Sequence, residues 1–267
     1  MIKPMGTSKM MPTPRGGQWT GLKSTISSYL SGTGNVTPQQ IIRETINAAG
    51  GLSLRSPSTI SGSAGGTAAG GRSGRSVSRA VSGLAGFGSA LGGGLTHALN
   101  SLGIEDLQGK PAGEVISKIA DHLSDDLSGM ERDVLRSALQ QALYNAAELA
   151  GDPSYENLEA SLQTFLAREG IEGLIELFLT QYVFDRVWLL IEEYVTNRTD
   201  DEADISNLET AIEQSCRSNV HEEVEHHKAE GSYENLDWFG PDGHRIAESV
   251  VTDLERRLKE AVRGGAR

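Results

Sequence analysis

Cysteine is almost absent. The single thiol, Cys216, excludes an intramolecular disulfide and any Cys-rich metal cluster. Aromatic residues make up 5% of the chain, and the first hundred residues contain one acidic side chain, Glu44. No long apolar run occurs either. The most apolar segment, residues 174–195, has an uncharged core of only eight residues, Leu177 to Phe184, before Asp185 and Arg186. A membrane-spanning helix needs about 20 apolar residues, so a buried core helix is expected. No apolar stretch follows Lys3, which predicts no signal peptide. With the lone cysteine, this predicts a cytoplasmic location.

What is present is distributed unevenly. The 267 residues carry a net charge of −12. Residues 1–100 hold nine Lys/Arg against that one acid, whereas residues 101–267 hold 15 Lys/Arg against 35 Asp/Glu. Twenty of the 32 glycines also fall in the first hundred residues. The expected organisation is a flexible basic arm over 1–95, with a short helix near 37–49, and an acidic domain over 96–267. Within the arm, Thr37 suits an N-cap, Pro38 the first helical position, Gln40 a capping box and Gly50 the C-terminal stop. The stretch 56–76 has one Ile and no aromatic residue. It buries too little apolar area to offset its ordering entropy and reads as a linker.

Beyond residue 95 the apolar residues recur at spacings of three and four. Val115, Ile116, Ile119 and Leu123 share one face. Val134, Leu135, Ala138, Leu139, Ala142, Leu143 and Ala146 form a second stripe, preceded by a Ser128/Glu131 capping box. Leu158, Leu162, Phe165 and Leu166 form a third. Residues 171–196 are apolar on most sides, as in a central bundle helix. Ile212, Cys216, Val220 and Val224 mark another stripe, and Ile246, Val250, Leu254 and Leu258 the last. No period-two alternation is sustained. The fold class is therefore all-α, a bundle of about six helices behind the arm.

Chemistry is harder to find. GFGSALGGG at 86–94 is not a phosphate loop, because position 91 is Leu where the dinucleotide fingerprint needs Gly, and no strand precedes it. In HEEVEHH, 221–227, Glu225 stands where a zincin helix needs its second His. Glu222/His226 and Glu223/His227 are spaced to touch a metal, but the same spacings support a helix through charge pairing. Val220 and Val224 point inward, which puts the cluster on a solvated face. Asp185-Arg186 within the apolar helix is either a narrow exposed stripe or a buried pair that fixes register. No catalytic residue and no metal site is assigned.

The terminus poses a separate question. Met5-Gly6-Thr7-Ser8 offers, after methionine removal, a glycine α-amine with no side-chain bulk. Such an amine has a pKa of about 7.7–8.0, against about 10.4 for lysine, so far more of it is neutral and nucleophilic near pH 7. Myristoylation fits poorly, since the sixth residue counted from Met5 is Met10 rather than Ser/Thr. An ordinary unmodified start is the plain alternative.

Three stretches carry a family resemblance: MGTS at 5–8 heading a Gly/Ser/Arg-rich region, GLTHALNSLGIEDLQGKPAGEVISKIADHLS at 94–124, and Tyr182-Val183-Phe184-Asp185-Arg186. The chain resembles the QatB family, the B component of the Qat anti-phage defence system. MIKP before MGTS and the capped helix at 37–49 depart from that pattern. The resemblance implies a non-catalytic component of a multi-protein bacterial defence system. Its expected partners are a deazaguanine-synthase-like enzyme, an ATPase and a TatD-like nuclease. It also implies that Gly6 is the residue such a synthase would modify, by joining a deazapurine carboxylate to the α-amine in place of ammonia. No cofactor is expected. Two other classes stay open: a helical adaptor whose basic arm, with Arg72, Arg75 and Arg79, contacts nucleic acid, and a metal-dependent enzyme using His221, Glu222, Glu223, His226 or His227.

Overall fold

In the capped helix of the arm, Thr37 takes an extended conformation, and its hydroxyl accepts a hydrogen bond from the Gln40 amide at 3.3 Å. Pro38 opens the helix, and Gly50 closes it in the left-handed region at φ 81°. The Gly50 and Gly51 amides donate back to Asn47 and Ile46, satisfying terminal carbonyls. One half of the expected capping box is not made, because the Gln40 side chain reaches forward to Glu44 instead. The helix buries Ile41, Ile42, Thr45 and Ile46.

The computed structural model describes residues 17–52, 71–149 and 157–260, apart from Asp106, Gln108, Ser128, Ser232, Glu234 and Asn235. Gly6 and the Ser128 cap therefore lie outside the described residues, as does most of the 56–76 linker. The described chain is all-α. Helices α1 (Gly17–Leu30), α2 (Pro38–Ala49) and α3 (Gly71–Ala90) are followed by a 3₁₀ turn at Leu91–Gly93. Then come α4 (Leu95–Ser101), α5 (Ala112–Leu123), α6 (Met130–Leu149), α7 (Leu158–Arg198), α8 (Glu202–Ala229) and α9 (Pro241–Glu260). No described helix is long and apolar enough to cross a membrane.

Among the described residues six helices follow residue 94, but α7 runs through a point where two separate helices were expected. Its 41 residues kink at Gly170, whose φ of 71° and ψ of −175° are not helical. The bend redirects the apolar half. Leu174, Ile175, Phe178, Leu179, Tyr182, Val183, Val187, Ile191 and Val195 are all buried, and this half packs against α6, α8, α3 and α2.

The expected boundary at residue 95 does not follow the packing. Leu22 and Ile26 of α1, the isoleucines of α2, and Val77, Val81, Leu84 and Phe87 of α3 belong to the same core cluster as Leu254 and Leu258 of α9. Glycine-rich composition suggested a flexible arm. In α3, however, the small residues allow close packing. A Cβ on Gly83 would lie 2.4 Å from a Leu123 methyl of α5, and one on Gly86 would lie 2.5 Å from the Phe239 ring. Glycine here removes bulk from a helix whose apolar residues still recur at helical spacing.

Trp238 is the largest buried side chain, at 2% exposure. It precedes α9 and stacks near Tyr233, with ring centroids 5.6 Å apart. The Ser82 hydroxyl of α3 donates to its carbonyl oxygen. A Cβ on Gly243 would lie 2.4 Å from Trp238 Cα and 2.5 Å from that same oxygen, with backbone that has nowhere to move. Alanine gains helix propensity of about 1 kcal/mol over glycine, but overpacking costs about 1–3 kcal/mol. Gly243→Ala is therefore expected to lower stability by up to about 2 kcal/mol net in urea denaturation. Gly92→Ala, with nothing within 4 Å of its Cβ, is expected to change it by less than about 0.5 kcal/mol.

Candidate functional site

Two polar groups of α7 converge on one backbone carbonyl. Arg186 Nε donates to Leu52 O at 2.9 Å, and Tyr182 Oη donates to the same oxygen at 3.2 Å. The two side chains are four residues apart, so they lie on one helical face. The Leu52 amide in turn donates to the Glu255 carboxylate of α9 at 3.3 Å. A single peptide segment just past α2 thus ties α7 to α9. Arg186 is 2% exposed and Tyr182 1%.

The electrostatics follow from that burial. Desolvation pushes the Arg186 guanidinium down to about 10, while Tyr182 and Glu131 favour its charge. Burial also raises the Tyr182 phenol well above its ordinary value, against the pull of Arg186. Both groups stay in their ordinary protonation states at neutral pH. Of the two expectations for this segment, the exposed stripe is overturned for Arg186, and no Asp185–Arg186 pair forms. Successive helical residues point about 100° apart, and Asp185 meets Gln181, whose amide donates to it at 2.6 Å. Burial is the main cause that raises the Asp185 carboxyl to about 7. The Gln181 hydrogen bond opposes the shift, and the charge of Glu213 adds to it.

In the histidine cluster, His221, Glu222, Glu225 and His226 are exposed, as expected for a solvated face. His221 Nδ1 lies 3.0 Å from Glu176 of α7, and the hydrogen bond and charge of that carboxylate raise its pKa. Glu223 and His227 depart from the expectation, at 1% and 4% exposure. They lie beside the Val220/Val224 stripe and face α9. The Nε and Nη1 of Arg257 donate to Glu223 at 2.6 Å and to Glu222 at 2.7 Å, respectively. His227 Nε2 is 3.5 Å from Glu223 Oε1 and 3.4 Å from Asp253 Oδ2. The helical spacing within 221–227 was visible in the sequence. The α9 partners, some thirty residues later, were not.

Cys216 is fully buried on its apolar stripe, and burial raises its thiol far above the usual range, as expected of a core residue. Phe184 and Trp188 stack at 6.2 Å and are only half-buried against the core. Arg79 of the basic segment pairs with Asp126 at the surface. Residues of the 94–124 stretch line a cavity of about 460 Å³ between α4, α5 and the start of α7, with Leu99, Ile104, Lys110 and Glu159 in its wall.

One protein-family model, described as Qat anti-phage system associated protein QatB, matches residues 64–239, well over half of the chain. The 94–124 stretch and the Tyr182–Arg186 segment lie inside the matched range. MGTS at 5–8 and α2 lie outside it. No curated protein and no solved structure matches the chain.

Two outcomes are expected around Leu52 and Asp185. Arg186→Ala leaves a cavity and removes the charged donor. It is expected to cost about 3–5 kcal/mol in chemical denaturation. Tyr182→Phe, which leaves the Arg186 hydrogen bond in place, is expected to cost about 1 kcal/mol. Asp185, with a carboxyl raised to about 7, holds a proton in the folded chain that the unfolded chain has released. Stability therefore falls as pH rises from about 4 to about 7. Asp185→Asn should come closest to the wild type near pH 4 and exceed it most above about pH 7. Denaturation at the two pH values measures the difference.

Proposed function

Because the chain belongs to the QatB family, and so is a component of the Qat anti-phage system, we propose that it acts there as a non-catalytic helical scaffold whose terminus at Gly6 is modified by a partner enzyme. The observation that supports its place in that system is the family match, which spans the bundle from α3 to Trp238 and Phe239; the Gly6 part rests on the Met5-Gly6 sequence outside the match. The chemistry of the side chains is consistent with it. The one thiol is buried with a raised pKa, and Arg186 and Tyr182 are committed to a structural carbonyl.

The partners of this reading are a deazaguanine-synthase-like enzyme, an ATPase and a TatD-like nuclease of the same system. The synthase-like partner would activate a deazapurine carboxylate with ATP. The neutral Gly6 amine attacks the activated carbonyl carbon, an amide bond forms, the activating group leaves, and the amine gives up a proton. Ten residues lie between Gly6 and Gly17 at the start of α1, and the eleven Cα–Cα steps span at most about 36–40 Å. That reach is sufficient for the amine to enter a pocket on another protein while the bundle docks beside it.

The alternative, a basic arm on nucleic acid, has less support. The α3 segment that carries Arg79 packs into the core, and Arg79 already pairs with Asp126. Each phosphate contact requires a free cation.

Intact-mass and N-terminal peptide mass spectrometry, with the chain expressed with and without the synthase-like partner, tests the proposal. The expected result is a chain that begins at Gly6 and gains the mass of a deazapurine amide only when the partner is present. Gly6→Pro should abolish the adduct, because a ring amine is bulkier and fixes φ, whereas Ser8→Ala should leave most of it. An unmodified terminus at Met1 in cells that resist phage would overturn the modification and leave the helical bundle as the whole of the scaffold.

A further inference from the structure

Three metal-ligating groups meet between α8 and α9. Glu223, His227 and Asp253 come from two helices, and one ligand atom of each lies within 4.8 Å of the others. Glu223 and His227 are more than nine-tenths buried, and neither Glu223 Oε1 nor His227 Nε2 has a hydrogen-bond partner. A buried polar atom without a partner costs stability unless something else occupies its lone pair. The two contacts of His227 Nε2 to the carboxylates are 3.4 and 3.5 Å. A tetrahedral ion with bonds of about 2.0–2.1 Å sets its ligand atoms about 3.3–3.5 Å apart. These two spacings are long for a hydrogen bond and match two edges of such a coordination shell.

We propose that Glu223, His227 and Asp253 hold one divalent transition-metal ion of the Zn²⁺ type, which clips α8 to α9. The remaining oxygens of the two carboxylates support this. Glu223 Oε2 accepts from Arg257 at 2.6 Å, and Asp253 Oδ1 accepts from Arg256 at 3.1 Å. The Ser249 hydroxyl donates to the ligand oxygen Asp253 Oδ2 itself at 3.2 Å, and Arg257 also reaches Glu222 at 2.7 Å. Both carboxylates are therefore oriented from behind, as outer-sphere partners orient metal ligands. Two carboxylates and an imidazole are a donor set that suits a divalent transition metal. Asp253 is half-buried, so its open side leaves a fourth position to water. One imidazole with two carboxylates suits Zn²⁺ better than Ca²⁺ or Mg²⁺, which take oxygen ligands alone.

The test uses the full, tag-free chain. The protein is treated with chelator, titrated with Zn²⁺ alone at about pH 7.5, and examined by native mass spectrometry, calorimetry and thermal melting. One ion per chain and a raised melting temperature are expected. His227→Gln and Asp253→Asn should each weaken binding at least about tenfold, the smallest loss seen when even an outer-sphere partner of a ligand is removed. His226→Gln, on the exposed face of the same helix, should bind like the wild type. Should His227→Gln fail to fold, Asp253→Asn at its more exposed position carries the comparison. The proposal is overturned if the wild type retains no ion, if Asp253→Asn binds unchanged, or if binding follows His226 instead. In that case the cluster is a protonated imidazole between two carboxylates.

Discussion

A buried guanidinium on a backbone carbonyl is the constraint around which this bundle is arranged. Arg186 sits in the most apolar segment of the sequence, residues 174–195, where an unpaired charge would be costly. Its Nε is held by Leu52 O, and the Leu52 amide is held by Glu255. The N-terminal helices must therefore be in place for the centre of α7 to be satisfied, and α9 must be in place to hold the other side of the same peptide. Hydrophobic packing supplies the stabilisation. The polar node specifies where the chain past α2 must lie.

Much of the fold was legible in the sequence because its signals are local. Thr37, Pro38 and Gly50 delimited α2, and the three-four spacing of Val134 to Ala146 gave the inner face of α6. Residues 171–196 read correctly as a central helix. The α3 segment was misjudged because composition is a poor guide when glycine removes bulk. Gly83 and Gly86 give Leu123 and Phe239 room to approach, and Leu84 and Phe87, each the next residue after one of them, fill the core. The kink at Gly170 was equally hidden, since glycine at a helix end and glycine at a bend look the same in sequence.

The polar sites were less legible. Asp185 and Arg186 are neighbours in sequence, and an exposed stripe or a buried pair were the two expectations. Helical geometry separates them, and the partner of Arg186 is a main-chain oxygen, which no residue pattern announces. Glu223 and His227 were placed on a solvated face because Val220 and Val224 alone defined the inner stripe. Packing of α9 along α8 widens the buried face by one position on that side. Membership of the QatB family accounts for what the chain belongs to, and the geometry accounts for how its helices are locked together.

The central claim is that α1 and α2 are integral to the bundle rather than part of a mobile arm. Native-state hydrogen exchange measures this directly, because it reports the opening free energy of each helix. Backbone amides of Ile42, Thr45 and Ile46 should exchange only through global unfolding, with the same protection as those of Val183 and Val187 in α7. Exchange of the α2 amides at a far lower free energy, with α7 still protected, would contradict the account and return the N-terminal helices to a separately unfolding arm.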